Sequence, residues 1–315
     1  LIRGVLLKKE MPETTQEQVR TAAVNTREGL SAAGALQAGR RIAIQGELGS
    51  NSHLAALEML GAVEIVPCSV SWEVFDRVVS GAVDGAVLPI ENSLHGSVAE
   101  HYDLFLDREV QIRGESLLRI RHFVMAAPGV KLAEVRRVMS HPVALSQCRR
   151  WLSAHPEIEV VPAYDTAGSV KMLMASGARD VAGIAPELAA RQYGAEVLVA
   201  GIEDHVENFT RFYLLGRTDG TGVRMPGAVE RVEDKMSLAF SLDHRPGTLV
   251  AALNLLADAG MNLTRIESRP VVSRPWEYVF YVDVRFEDGA KADAAVERLR
   301  GLCGWLKVLG RYRAA

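Results

Sequence analysis

From Arg41 onward the chain alternates short β-rich runs with segments of helical spacing, and this alternation limits the possible folds more than any other feature. Ile42 to Gln45 reads as a strand, and Leu54, Leu57 and Leu60 follow at helical spacing. Val63 to Val66 is the next strand, Trp72, Phe75 and Val79 mark the following helix, and Val83 to Ile90 is a continuous apolar run. The pattern resumes at Val135 to Met139 and Ile158 to Val161. Such an order predicts a largely parallel α/β sheet with helices on both faces. Gln111 to Ala126 reads as one long strand without a helical break, which suits a crossover between two lobes.

A run of breakers, Asp219-Gly-Thr-Gly and Met225-Pro-Gly, marks a linker over 218–234 and closes a first domain over 41–217. Over 235–315 the pattern changes. Met236, Leu238, Phe240 and Leu242 alternate as a strand, and Leu249, Val250, Leu253 and Leu256 form a helical face that ends at Ala259-Gly260. Strands around 263–272 and 278–286, a helix over 291–302 and a last strand over 305–309 complete βαββαβ, the ferredoxin-like order. That order leaves one sheet face for helices and the sheet edges free for a partner. Residues 1–40 show no sustained apolar face and read as an exposed, partly helical extension. Four glutamates among the first 28 residues argue against a transit peptide.

A length of 315 residues suits two or three domains. The formal charge of -3 provides no field to recruit nucleic acid or an anionic membrane, so an anionic ligand must be held locally. Cys68, Cys148 and Cys303 are far apart, without a CxxC pair, and no run reaches the roughly 18 apolar residues of a membrane span. A reducing, cytoplasmic setting is expected. Eight scattered histidines include no HExxH spacing, so no metal is expected.

Five segments can carry chemistry. The first, Gly46 to His53, joins a strand to a helix, and Ser50, Asn51 and Ser52 add donors to free backbone N–H groups that can receive an anion. It lacks the third glycine of a dinucleotide fingerprint and the Lys-Ser/Thr ending of a P-loop. In Leu88 to Ser97 an apolar strand ends in Glu91, Asn92 and Ser93, with Gly96 and Ser97 behind, at the strand end where open α/β sheets bind ligands. Ser140-His141-Pro142 to Gln147-Cys148 and Tyr164-Asp165-Thr166 are further strand-to-helix turns, each either a cap or an anion site. Last, Asn208 to Tyr213 sets Thr210 and Arg211 in an aromatic strand, where Arg211 is either a structural ion-pair member or a carboxylate clamp.

In this order the segments resemble the prephenate dehydratase family. The phrases that carry the resemblance are Pro89-Ile-Glu-Asn-Ser with Gly96-Ser97-Val98 and Tyr102-Asp-Leu, then Ser140-His-Pro, Gln147-Cys148, Asp165-Thr-Ala-Gly, Asn208 and Thr210-Arg-Phe212. The C-terminal domain resembles an ACT domain, with Pro246-Gly-Thr-Leu-Val250 and Glu267-Ser-Arg-Pro270 at the family's effector motifs. Thr248 replaces the usual alanine, Val143 replaces the glutamine usual after Ser-His-Pro, and 1–40 lies outside the pattern.

The resemblance implies a two-lobed α/β catalytic domain like type II periplasmic binding proteins, followed by the ferredoxin-like ACT domain. It implies conversion of prephenate to phenylpyruvate without metal or cofactor. Thr210, Arg211, Phe212 and Glu91 would be catalytic, with Thr210 stabilising the departing hydroxyl and Glu91 a candidate proton source. Ser50, Asn51, Ser52, Asn92, Ser93, Gly96, Ser97, Ser140, His141, Gln147, Asp165 and Thr166 would hold substrate. L-phenylalanine would bind as effector through Gly247, Thr248, Leu249, Val250, Asn262, Glu267, Ser268 and Arg269, between subunits of a homodimer or homotetramer. Arogenate dehydratase shares these motifs, and a non-enzymatic amino-acid sensor is the rival of another class.

Overall fold

The structure, a computed structural model, describes residues 39–226, 232–271 and 274–315. Most of the expected extension (1–38), part of the expected linker (227–231) and Val272 of an expected strand lie outside the described residues.

The first lobe runs β1 (Arg41–Gln45), α1 (Asn51–Leu60), β2 (Glu64–Cys68), α2 (Ser71–Val79), β3 (Gly85–Asn92), β4 (Gly96–Ser97), α3 (Ala99–Asp107) and β5 (Val110–Arg119). The second lobe holds β6 (Phe123–Ala126), β7 (Arg137–Ser140), α4 (Pro142–Ser146), α5 (Arg149–Ser153), β8 (Glu159–Pro162), α6 (Thr166–Ser176), β9 (Val181–Ala185), α7 (Glu187–Tyr193) and β10 (Glu196–Ala200). The chain then returns to the first lobe as β11 (Phe209–Arg217). The C-terminal part is β12 (Lys235–Ser241), α8 (Thr248–Asp258), β13 (Asn262–Val271), β14 (Arg274–Arg285), α9 (Gly289–Arg300) and β15 (Trp305–Tyr312), the expected βαββαβ order.

The structure departs from several expectations. The long strand over Gln111 to Ala126 breaks after Arg119 into β5 and β6, which belong to different sheets, so it does cross between the lobes. The sheets are mixed. β1 pairs in parallel with β2 and β3, but β11 comes back between β3 and β5 antiparallel to both. The second sheet, in order β10-β6-β9-β7-β8, is likewise parallel only around β7. On α2 the buried row is Ser71, Val74, Phe75 and Val78, which follows the three-or-four spacing, while Trp72 is 55% exposed.

The C-terminal strands do not keep both sheet edges free. β15 pairs in parallel with β5 at Gly310 and Ile112, producing one ten-stranded sheet in the order β13-β14-β12-β15-β5-β11-β3-β1-β2, with β4 on β3. Gly310 is required at this join, since a Cβ there would lie 2.4 Å from the Ile112 carbonyl oxygen. One face of the C-terminal strands packs Leu238, Phe240 and Val282 against Leu256 of α8 and Leu299 of α9. The opposite face packs Ala239, Val279 and Tyr281 with Phe75, Tyr102 and Phe105 of the first lobe. Tyr281 also donates its hydroxyl to the Tyr102 carbonyl at 2.8 Å. The first lobe and the C-terminal strands therefore share a core.

Candidate active site

The carboxyl ends of β1, β7 and β8 face a cleft of about 360 Å³ between the lobes. Gln45, Gly46, Glu47, Ser50, Asn51 and Ser52 line it from the first lobe, together with Pro89, Thr210 and Phe212; His141, Val143, Tyr164, Asp165 and Thr166 line it from the second. This is the crevice position in which open α/β sheets hold ligands.

Helix starts converge on the cleft. Ser50 caps α1 by accepting from His53 N, and Asp165 caps α6 by accepting from Gly168 N at 2.7 Å. His141 caps the short α4. The loop before α1 is gripped by the second lobe: Tyr164 donates to Glu47 Oε1 at 2.9 Å, Lys171 to Glu47 Oε2 at 2.8 Å and Tyr193 to the Leu48 carbonyl at 2.8 Å. Gly46 has φ of 98°, and an added Cβ would lie 2.8 Å from Asp165 Oδ2, so the position excludes a side chain on two counts. Burial pushes the Asp165 carboxyl above its ordinary range. Burial acts in the same direction on Glu47, but hydrogen bonds from Lys171 and Tyr164 outweigh it and hold that carboxyl low.

Thr210 is oriented by its neighbour. The Oδ1 of Asn92 accepts from the backbone N–H groups of Leu94 and His95, each at 3.0 Å, which fixes the side-chain amide. Its Nδ2 then points to Thr210 Oγ1 at 3.0 Å and to Asn208 Oδ1 at 2.8 Å. The threonine oxygen is an acceptor in that bond, so its own hydrogen is free to be donated into the cleft.

Several of the expected residues are placed elsewhere. The register of β11 on β3 slips between Arg211 and Phe212, setting Arg211 opposite Glu91 and Phe212 opposite Pro89. Strand alternation sends Thr210 and Phe212 to the cleft and Arg211 to the opposite face. There Arg211 Nε lies 3.6 Å from Glu91, and its Nη1 lies 3.3 Å from Glu115 and 3.9 Å from Asp283. This geometry matches the ion-pair reading of Arg211, and it carries Glu91 away from the cleft and from a proton-donating position.

Other hydroxyls are already occupied. Ser93 donates to the Glu207 carbonyl and accepts from Phe209 N, tying β3 to β11, and Ser140 donates to the Ile184 carbonyl at 2.6 Å. Ser97 is bonded to Glu267 and Arg265 of β13, and Gly96 supplies the left-handed turn before it with φ of 77°. Gln147 lies between His95 and His122, bridging the lobes beside the cleft. Glu47 and Tyr164 are cleft groups absent from the expected set, and their only sequence signal was position beside Gly46 and Asp165.

A second cavity, about 180 Å³, lies at the start of α8, where Gly247, Thr248, Leu249 and Val250 meet Asp243, Arg245, Tyr278 and Phe280. Asn262, Glu267, Ser268 and Arg269 do not line it. Alternation along β13 aims Arg265, Glu267 and Arg269 at the first lobe, where Arg269 pairs with Asp103 at 2.8 Å, while Asn262 and Ser268 are exposed.

The family model for prephenate dehydratase matches residues 42–220, more than half of the chain. The chain belongs to the prephenate dehydratase family. The ACT domain model matches residues 236–304. Arogenate dehydratase/prephenate dehydratase 2, chloroplastic, of Arabidopsis thaliana is 39% identical over 285 residues, covering 86% of this chain and 72% of that protein. Prephenate dehydratase from Arthrobacter aurescens, solved in complex with L-Phe, is 31% identical with a TM-score of 0.77, covering 87% of this chain and 90% of that one. A third similar structure, GqqA, described as a novel type of quorum quenching acylase, is 31% identical with a TM-score of 0.78, covering 88% and 98%. The fold is thus that of a prephenate dehydratase, a two-lobed α/β unit of the periplasmic-binding-protein type followed by an ACT domain. Membership makes the protein a carbon–oxygen lyase of phenylalanine biosynthesis.

Proposed function

We propose that the cleft converts prephenate to phenylpyruvate, with Thr210 as the group that meets the departing hydroxyl. The observation that carries this reading is the Asn92 amide, which donates to the Thr210 oxygen at 3.0 Å and leaves its hydrogen available for donation. The α1 and α6 starts offer N–H groups and positive dipole ends to the substrate's two carboxylates. Held this way, the pyruvyl side chain stays on the ring while the ring carboxylate leaves as CO2. Its electron pair enters the ring, and the hydroxyl departs with the electrons of its own C–O bond. A hydrogen bond from Thr210 stabilises the charge that grows on that oxygen.

Completing the departure as water takes a proton. With Glu91 on the far face, Asp165 is the cleft carboxyl suited to supply it, because burial favours its protonated form. Glu47, held charged by Lys171 and Tyr164, serves instead to lock the α1 loop.

Control by L-phenylalanine belongs to the same reading. The effector enters the α8 cavity, where the Gly247 N–H and the positive end of α8 face a carboxylate and Leu249, Tyr278 and Phe280 an aromatic ring. A second copy meets the chain along β13, the edge strand of the sheet, in a cytoplasmic homo-oligomer. Among the described residues no helix is long and apolar enough to cross a membrane.

Incubating the protein with prephenate and with arogenate, and following phenylpyruvate and phenylalanine, tests the proposal. Phenylpyruvate from prephenate supports it. Turnover of arogenate alone moves the substrate to the amino analogue, and inertness toward both defeats the catalytic reading in favour of a sensor.

A further inference from the structure

The hairpin that orients Thr210 is held from behind by the regulatory domain. β4 pairs with β3 so that Ser97 lies opposite Glu91 and Gly96 opposite Asn92. The whole turn between Asn92 and Ser97 is thus one short hairpin, with the Thr210 donor at its start. At its end, Ser97 Oγ donates to Glu267 Oε2 at 2.5 Å and accepts from Arg265 Nη2 at 3.0 Å. Arg265 and Glu267 also pair with each other at 2.9 Å, and the Arg265 guanidinium lies over the Tyr102 ring at 4.2 Å. Arg265 Nε is 3.9 Å from Glu91, the residue beside Asn92.

The Arg265 side chain is 5% exposed. A charge so deeply placed is costly, and the aromatic contacts of Tyr102 and Tyr281 already join the two units without it. What the charged cluster adds is a directional grip on one hairpin.

We propose that Arg265 and Glu267, acting through Ser97, are positioning residues for the dehydration step: they hold the β3–β4 hairpin so that the Asn92 amide keeps Thr210 in its donating orientation. This deepens the reading in which Thr210 donates to the leaving hydroxyl, and it rests on that reading. It removes Ser97 from the substrate contacts and makes the catalytic geometry depend on a strand of the ACT domain.

The test compares Ser97→Ala, Glu267→Ala and the double variant in the full chain. Each single change is expected to lower kcat for prephenate by about tenfold, roughly the loss of one charge-assisted hydrogen bond, with KM nearly unchanged. The double variant should be no slower than the slower single one, because both cut the same link. Glu267→Gln, which keeps an acceptor for Ser97, should recover part of the loss. Lys307→Gln cuts a different contact between the units, from Lys307 Nζ to the Phe105 and Arg108 carbonyls, and should leave kcat nearly unchanged. A raised KM with normal kcat in Ser97→Ala would return that serine to the substrate and overturn the proposal, as would additive losses or an equal loss in Lys307→Gln.

A readout independent of turnover separates this inference from the one beneath it. The Asn92 side-chain amide resonances, assigned by their loss in Asn92→Asp, should shift in Glu267→Ala and stay in place in Lys307→Gln. An unmoved amide in Glu267→Ala sinks the positioning role even if the enzyme is active. Failure of the unaltered protein to dehydrate prephenate sinks the functional reading, while the amide shift still decides the grip on the hairpin.

Discussion

Lys235 Nζ lies 2.7 and 2.9 Å from the two carboxylate oxygens of Glu115, and the side chains are 3% and 4% exposed. The pair joins β12 of the ACT domain to β5 of the first lobe, beside the strand that carries Thr210. Neither charge has water to fall back on; Lys235 depends on Glu115, which also meets Arg211.

Lys235→Met should therefore destabilise the protein by about 3–5 kcal/mol, the scale for breaking a buried pair from one side. Urea unfolding measures it, and the double change Lys235→Met, Glu115→Gln should recover much of the loss. A cost below about 1 kcal/mol would show that Arg211, 3.3 Å from Glu115, suffices alone.

A chain ending at Arg217 should fail as an independent dehydratase. It would lose the partner of β5 and uncover Phe75, Tyr102 and Phe105, which pack against Tyr281 and Val279. Soluble protein with full turnover from that truncation would refute the shared core as a requirement.

Thr210→Ala should lower kcat by about a hundredfold or more, the usual scale for removing a donor to a developing charge. Asn92→Asp should be nearly as damaging. Its carboxylate would accept the threonine hydrogen that the amide leaves free, reversing the hydroxyl. Steady-state rates with prephenate decide both, and an active Asn92→Asp enzyme would contradict the hydrogen-bond assignment.

The raised Asp165 carboxyl links pH to both rate and stability. The folded protein binds this proton more readily than the unfolded chain does, so the group opposes folding once pH rises above the ordinary carboxylate range. Asp165→Asn keeps a capping side chain at α6, and should raise Tm at pH 7 with a gain that vanishes near about pH 3. The same change should cost about a hundredfold or more in kcat if Asp165 supplies the proton. Normal turnover with a higher Tm would leave it a cap only.

Gly247 has φ of 86° and opens α8 at the wall of the smaller cavity. An added Cβ meets nothing within 4 Å, so Gly247→Ala acts through the backbone, at a cost of about 1 kcal/mol. Inhibition by phenylalanine should then need several times more effector, with uninhibited kcat unchanged. An unaltered inhibition curve would place the effector elsewhere.

Local pattern made much of this legible. Spacing located β1, α1, β3 and the βαββαβ order, because apolar periodicity is a local property. What the pattern could not show is which face of a strand meets which neighbour after a register slip. Glu91 and Arg211 adjoin Asn92 and Thr210 in sequence, and the family resemblance gives them catalytic roles. Alternation turns Arg211 to the far face, and the slip between Arg211 and Phe212 puts Glu91 there too, out of phase with Pro89. Glu267 and Arg269 carry the same lesson: their phrase marks a strand, and only its pairing with β14 reveals the side that faces the first lobe. Thr210 stands in the sequence as a candidate donor, while the contact that leaves its hydrogen unused comes from Asn92, more than a hundred residues earlier in the chain.

The join at Gly310 and Ile112 also bears on how the protein is made. β5 is made well before its neighbour β15, which follows every other described strand in chain order. While the ribosome works through the residues between Arg119 and Gly310, β5 presents an open hydrogen-bonding edge beside an uncovered aromatic cluster. Pairing of β15 then closes the edge, so the first lobe reaches its final fold only with the strands of the ACT domain in place.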